Sequence, residues 1–303
     1  MHDPEVEADL RRSNIYMIVS RAEATFMNFK ADAGDNSLSF EFTTGDELRA
    51  NALIMLNELP GLEGIDAGTL RIEYGPKIIR LWSSHPDGSR NQLLQWFTTE
   101  KLLFDKWQGM SGLYGLERIR ELATYELLYV GISKTVDAFD RLLVQPHDKR
   151  LRILANEPQK SEGARVTDET YLLFFRTDVL RVNTFGPDSD DSDFEEIDNP
   201  PDLQDPRIVI DAEKAFIHFI GGRYNTVKYK QYPRSTDGLF GSNLTRYAYV
   251  IAEDITLRGA AGTIRGGFHP YLPNANGADG ILVDGDNATL LLAEAMRPSP
   301  DTL

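Results

Sequence analysis

The sequence predicts a mixed α+β fold, on three observations. Ser37–Phe42 (SLSFEF) alternates apolar and polar residues, and Glu126–Ser133 (ELLYVGIS) is nearly continuous in apolar ones; both are strand patterns. Ile208–Ile220 instead spaces its apolar residues as a helix does, between Pro206-Arg207 and Gly221-Gly222. The last third of the chain breaks into short strand-like runs separated by Gly- and Asn-rich turns.

Composition bounds the classes open to this chain. Its 303 residues, 41% hydrophobic, suffice for two domains or one elaborated domain with a substantial core. No apolar run approaches the length of a membrane span, and Met1–Arg12 lacks the basic start and apolar stretch of a secretory signal. The absence of cysteine excludes disulfides, thiolate zinc sites and a cysteine nucleophile. The expectation is therefore a soluble, cytoplasmic protein with no membrane partner. The net charge of -15 argues against nucleic acid as a partner, but it is unevenly spread. Nine acidic and no basic residues lie between Asp188 and Asp205. The stretches 109–186 and 207–303 are each neutral.

Three consecutive sections are expected. Residues 1–108 read as an N-terminal α/β unit: the strand at Ser37–Phe42, a helix from Leu48 to Leu59 stopped by Pro60-Gly61, and a hairpin of Thr69–Tyr74 with Lys77–Ser83. Leu93–Trp107 mixes strand and helix signals. Residues 109–232 form a core section, with Leu113, Leu116, Ile119 and Leu122 at helix-like spacing and a strand at Glu126–Ser133. Helices follow at Asp137–Val144 and Asp148–Asn156, then strands at Thr170–Arg176 and Val179–Phe185. An acidic insertion, 187–206, reads as a solvated spacer; as phosphate mimicry it could instead occupy a basic cleft. Residues 233–303 are the β-rich C-terminal section, ending in a loose tail after Met296.

Several familiar signatures fail. Gly131–Thr135 mimics only the end of a phosphate-binding loop, HExxH is absent, and five scattered histidines offer no paired metal spacing. The Asp-rich run lacks the glycine an EF-hand loop needs at its turn. No GxSxG elbow occurs, and glycines 259–267 read as turns.

Three separated pieces, taken in order, do form a pattern. They are Gly112-Leu113-Tyr114; Tyr129-Val130-Gly131 followed by Arg141; and Ala212-Glu213 through Phe216-Ile217 to Tyr224-Asn225. Together they resemble the GIY-YIG nuclease family, whose triplets end strands and whose glutamate-bearing helix is followed by an asparagine. The resemblance implies a GIY-YIG-like core and a metal-dependent endonuclease that hydrolyses phosphodiester bonds in DNA. It implies Tyr114, Tyr129, Arg141, Glu213 and Asn225 as catalytic residues, with Glu213 holding Mg²⁺. His147 stands near a family histidine, although after Pro146 it also reads as a loop or cap residue.

These residue types suit phosphodiester hydrolysis. A glutamate can hold one Mg²⁺, which lowers the pKa of bound water. An arginine forks onto phosphate oxygens as charge develops. Tyrosines can orient water or relay its proton. Arg223–Arg234 (RYNTVKYKQYPR) interleaves cations with tyrosines, so Arg223, Lys228, Tyr229, Lys230 and Arg234 are candidate nucleic-acid contacts. Each residue also has a structural reading: a core-edge tyrosine, a surface arginine, a solvated glutamate, a helix-ending asparagine, a surface strand. The alternatives in function are a catalytically inactive binding or assembly module with the same core, and a small-molecule-binding regulatory protein.

Overall fold

The computed structural model describes residues 4–45, 48–65, 69–85, 87–133, 137–177, 205–242, 244, 246–269 and 277–293. The expected strand at Val179–Phe185, most of the acidic insertion and the tail after Met296 lie outside the described residues. Among the described residues the fold is mixed α and β, with four sheets and few helices. The chain divides into two compact units: unit 1 is Met1–Ser20, Tyr125–Glu157 and Thr170–Leu303, and unit 2 is Arg21–Thr124 with Pro158–Glu169. The three consecutive sections expected from the sequence do not coincide with these units. The reason is long-range strand pairing, which joins segments near residues 15, 130 and 170 into one sheet.

Unit 1 is built on a five-stranded sheet. Its strands are β1 (Ile15–Ser20), β9 (Thr124–Ile132), β10 (Thr170–Phe175), β12 (Thr256–Arg258) and β13 (Thr263–Arg265), in the order β10-β1-β9-β12-β13. All six β1 residues are buried, because the strand is paired antiparallel on both edges and covered on both faces. A β-bulge interrupts the β1–β9 ladder at Leu128, where Ile18 pairs with Tyr129 but Val19 with Leu127. A second sheet orders β11 (Arg246–Val250), β14 (Gly280–Asp284) and β15 (Asn287–Leu291). The helices are α1 (Pro4–Arg11), α4 (Asp148–Asn156) and α5 (Pro206–Phe219), together with a π-helical turn at Asp140–Val144.

Unit 2 holds a four-stranded sheet of β2 (Ala24–Asp32), β3 (Ser37–Thr44), β4 (Leu48–Met55) and β8 (Leu113–Gly115). A three-stranded sheet of β5 (Leu70–Tyr74), β6 (Ile78–Ser84) and β7 (Arg90–Thr98) leads into α2 (Thr99–Trp107). The Thr98 side chain caps α2 by accepting from Lys101 N, which resolves the mixed signal of Leu93–Trp107 into a strand and then a helix. Short α3 (Ile119–Leu122) closes the unit.

Two expected helices are corrected. Leu48–Leu59 is β4 followed by a 3₁₀ turn at Leu56–Glu58; Ala50, Ala52 and Ile54 alternate inward, and ladders to β3 and β8 occupy both edges of the strand. Those two ladders outweigh the helical spacing of the leucines. The Leu113–Leu122 series splits into β8 and α3. Gly112 and Gly115 take φ of 78° and 75°. A Cβ at Gly115 would lie 2.3 Å from Asn51 O. The glycines therefore let this segment pack directly on β4.

Candidate functional site

Strand alternation and antiparallel register put Tyr16, Ile18, Tyr129 and Gly131 on one face of the unit 1 sheet. The rings of Tyr16 and Tyr129 lie 6.1 Å apart, centroid to centroid. Gly131 stands opposite Tyr16, and a Cβ there would meet Tyr16 Oη and Cζ at 2.6 Å and Tyr129 Cε1 at 2.7 Å. Glycine at this position is what allows the two phenols to meet.

The hydroxyl of Tyr16 is the hub. It accepts from Arg141 Nε at 3.1 Å and lies 3.0 Å from His147 Nε2. His147 Nδ1 accepts from the backbone N–H of Arg150, capping α4, so the neutral ring carries its proton on Nε2 and donates it to Tyr16. His147 also meets both tyrosine rings edge-on. Arg141 sits on the π-helical turn, a geometry common at functional sites. That turn is held by Arg11 of α1, which donates to Asp137 at 2.7 Å and Asp140 at 2.9 Å while lying over the Phe139 ring.

Glu213 joins the cluster from α5. The helix is oriented by Asp211, which is fully buried. Its Oδ2 accepts from the hydroxyls of Tyr232, Tyr247 and Tyr249 at 2.8, 3.0 and 3.0 Å, and its Oδ1 from Leu239 N. Two residues along a helix project to nearly opposite sides, so anchoring Asp211 turns half-buried Glu213 away from that cage. Its charge acts on the phenols on the other side. Tyr129 is raised by burial first and by Glu213 next, with Arg141 and a hydrogen bond from Tyr16 opposing. Tyr16 is raised by burial and then by Tyr129, again opposed by Arg141, with Glu213 a smaller contribution. Tyr229 is raised by burial and then by Glu213. His147 falls below the ordinary imidazole range through burial and the Arg141 charge.

Asn225 is buried, and its amide pairs with the backbone of Val130 as a neighbouring strand would: Nδ2 donates to Val130 O at 2.8 Å, and Oδ1 accepts from Val130 N at 3.0 Å. Tyr224 N donates to Leu128 O at the bulge. The segment after α5 is thereby fixed to the strand carrying Tyr129.

Of the candidates read from the sequence, Tyr129, Arg141 and His147 meet around Tyr16, Glu213 reaches the phenols through its charge, and Asn225 holds the frame. Tyr114 does not join them. It lies on β8 in unit 2, 48% exposed, and its hydroxyl donates to Glu58. Gly112 and Gly115 beside it serve packing on β4. Tyr16, unforeseen, takes the hub position; the signal available was the apolar run of Ile15–Val19 with a single tyrosine.

The Arg223–Arg234 segment is turns rather than a strand. Arg223 donates to both oxygens of Glu157 at 2.9 and 3.0 Å, and Tyr224 donates to the same carboxylate. Arg234 pairs with Asp286 at 3.0 Å. Lys228 donates to Gly222 O, and the Tyr229 carbonyl meets His218 Nδ1 at 2.9 Å. Lys228 and Lys230 line a 320 Å³ cavity with His218, Ala260 and Ala261.

Among the described residues, no group of three or more His, Asp or Glu is arranged to hold a metal ion. Glu213 offers a single carboxylate, the type of oxygen donor that Mg²⁺ takes while keeping several of its waters. Among the described residues no helix is long and apolar enough to cross a membrane. No family model, curated protein or solved structure matches this chain.

Proposed function

We propose that unit 1 is a metal-dependent endonuclease of GIY-YIG-like type that hydrolyses phosphodiester bonds in DNA. One observation carries the reading: two phenols, a guanidinium and an imidazole meet on one sheet face, and a glutamate's charge acts on both phenols. The resemblance is served better by Tyr16 than by Tyr114, since Tyr16 lies on a strand antiparallel to the Tyr129 strand. Arg141, on the turn after that strand, and Glu213, on a helix followed by Asn225, keep the order read from the sequence.

The residues divide the chemistry. Arg141 uses Nε on Tyr16, which aligns its terminal nitrogens to fork onto phosphate oxygens as charge builds. Tyr16 receives two donors, so any negative charge passed to its oxygen is stabilised. Tyr129 stands beside Tyr16 and within the field of Glu213, a position suited to orienting a water with a phenol that keeps its own proton. Glu213 would hold Mg²⁺, which would supply a more acidic water there. Lys228 and Lys230 provide phosphate contacts nearby on the same unit, with Tyr229 between them.

The test is cleavage of plasmid DNA by the purified chain with Mg²⁺. Cutting that disappears in Glu213→Ala and Arg141→Ala supports the reading; intact plasmid across several divalent metals and DNA forms would sink it. The net charge of -15, together with Arg223 and Arg234 being paired to carboxylates, favours a second reading: a binding module with the same core and no cutting. DNA binding that survives Glu213→Ala, with no cleavage in the wild type, would select it.

A further inference from the structure

The outer face of the β5-β6-β7 sheet in unit 2 carries an unusual combination. Register puts Arg71, Trp82 and Leu93 in one cross-strand row and Glu73, Arg80 and Trp96 in the next. The opposite face, with Ile79, Leu81 and Phe97, is buried in the core of the unit. Two of the three tryptophans of the chain therefore stand, half-buried, on a surface. Each has a cation against its ring: Arg90 lies 5.4 Å from the Trp82 ring centroid, and Lys101 lies 5.4 Å from that of Trp96. The face presents three cations, Arg71, Arg80 and Arg90, against the carboxylate of Glu73, and Lys101 of α2, paired with Asp105, lies at its end between the Trp96 and Phe97 rings. In a chain of net charge -15 this is a local reversal of sign.

We infer that this face binds single-stranded nucleic acid. Indole planes flanked by arginines offer stacking surfaces for bases and charge for the phosphates between them. Stacking of this kind needs bases that are not already paired, which selects a single strand over a duplex. Trp and Arg also suit protein interfaces, but the excess of cations over carboxylates on this face and the single aliphatic residue in these two rows, Leu93, favour a polyanion with stacking bases. The inference stands on unit 2 and does not require that unit 1 cuts. DNA and RNA share the chemistry, and the experiment separates them.

The experiment uses the full chain carrying Glu213→Gln, so that cleavage cannot consume the probe. Fluorescein-labelled oligo-dT, oligo-U and a duplex of equal length are titrated by anisotropy, with a glutamate-rich peptide as competitor. The expected result is binding of a single strand in preference to the duplex, weakened by added salt and accompanied by quenching of tryptophan emission. Trp82→Ala and Trp96→Ala should each weaken it by about tenfold. Arg71→Glu, a change at an exposed residue that leaves the core untouched, should weaken it with an unchanged melting temperature. Absence of single-strand binding, duplex binding weakened by the tryptophan variants as much as single-strand binding, competition by the peptide, or affinity unchanged in Arg71→Glu and both tryptophan variants would overturn the inference. Cleavage by the wild-type chain is scored separately. A chain that cuts nothing but loses oligonucleotide binding in these variants keeps this inference and loses the nuclease one.

Discussion

The hydroxyl of Tyr16 accepts a hydrogen bond from Arg141 Nε at 3.1 Å across a separation of 125 residues. It is the point where strand β1 and the π-helical turn meet, and His147 reaches the same oxygen. Tyr16→Phe removes that oxygen while keeping the ring. Plasmid cleavage should fall by about 10²-fold or more, the usual cost of losing a positioned polar catalytic group. Tyr114→Phe should cut at the wild-type rate. Equal rates for wild type and Tyr16→Phe would remove Tyr16 from the mechanism.

Gly131→Ala tests the packing that brings the phenols together. The added methyl would lie 2.6 Å from the Tyr16 ring, and neither strand can retreat from a ladder paired on both sides. Overpacking of this kind costs about 1–3 kcal/mol. A lower denaturation midpoint with an unchanged urea slope is expected, together with weakened cleavage.

Asp211→Ala leaves the buried hydroxyls of Tyr232, Tyr247 and Tyr249 without their shared acceptor. Hydrogen bonds to a charged group contribute about 1.5–3 kcal/mol each, and three are lost together. The chain should lose several kcal/mol of stability in chemical denaturation. Asp211→Asn should restore part of it, because one amide oxygen remains to accept.

The pH dependence follows from His147. Its folded-state pKa is depressed, so as pH falls below the ordinary imidazole value of 6.5 the unfolded chain takes up a proton that the folded chain refuses. The stability contribution is complete above that value and is lost as pH falls toward the depressed one. The melting temperature should decline across this window in the wild type and decline less in His147→Gln. Parallel curves for the two proteins would refute the assignment.

Arg11→Ala tests how the Arg141 turn is held. Without the ion pairs from Arg11 to Asp137 and Asp140, the turn loses its tether to α1. Cleavage should drop by about tenfold or more through misplacement of Arg141, as small displacements of positioned groups do. The maximal rate should fall while DNA affinity stays near wild type. Arg11→Lys should restore part of the rate.

Much of the candidate site was legible because its members keep local signatures. Tyr129 lies on an apolar strand, Glu213 lies on a helix with clear start and stop signals, and Asn225 follows that helix. Tyr16 was not legible, since nothing local says that Ile15–Ser20 pairs with a strand beyond residue 120. Gly112-Leu113-Tyr114 misled for a related reason. Its glycines are needed for close approach to β4, and that need produces the same letters as a functional triplet. The strand at Leu48–Met55 read as a helix because Leu48, Ala52 and Leu56 fit a helical repeat as well as Ala50, Ala52 and Ile54 fit a strand. Ladders on both edges decided it. The Trp82 and Trp96 face depended on register, which composition does not contain.

The connectivity of the two units has a practical consequence. The chain passes from one to the other four times, at residues 20–21, 124–125, 157–158 and 169–170. No single linker joins them, so a protease that nicks the 124–125 or the 157–158 crossing leaves two fragments that each still contribute to both folded bodies. Such a nick should show on a denaturing gel and not in native size, and truncating the gene at either of these two crossings removes part of both units.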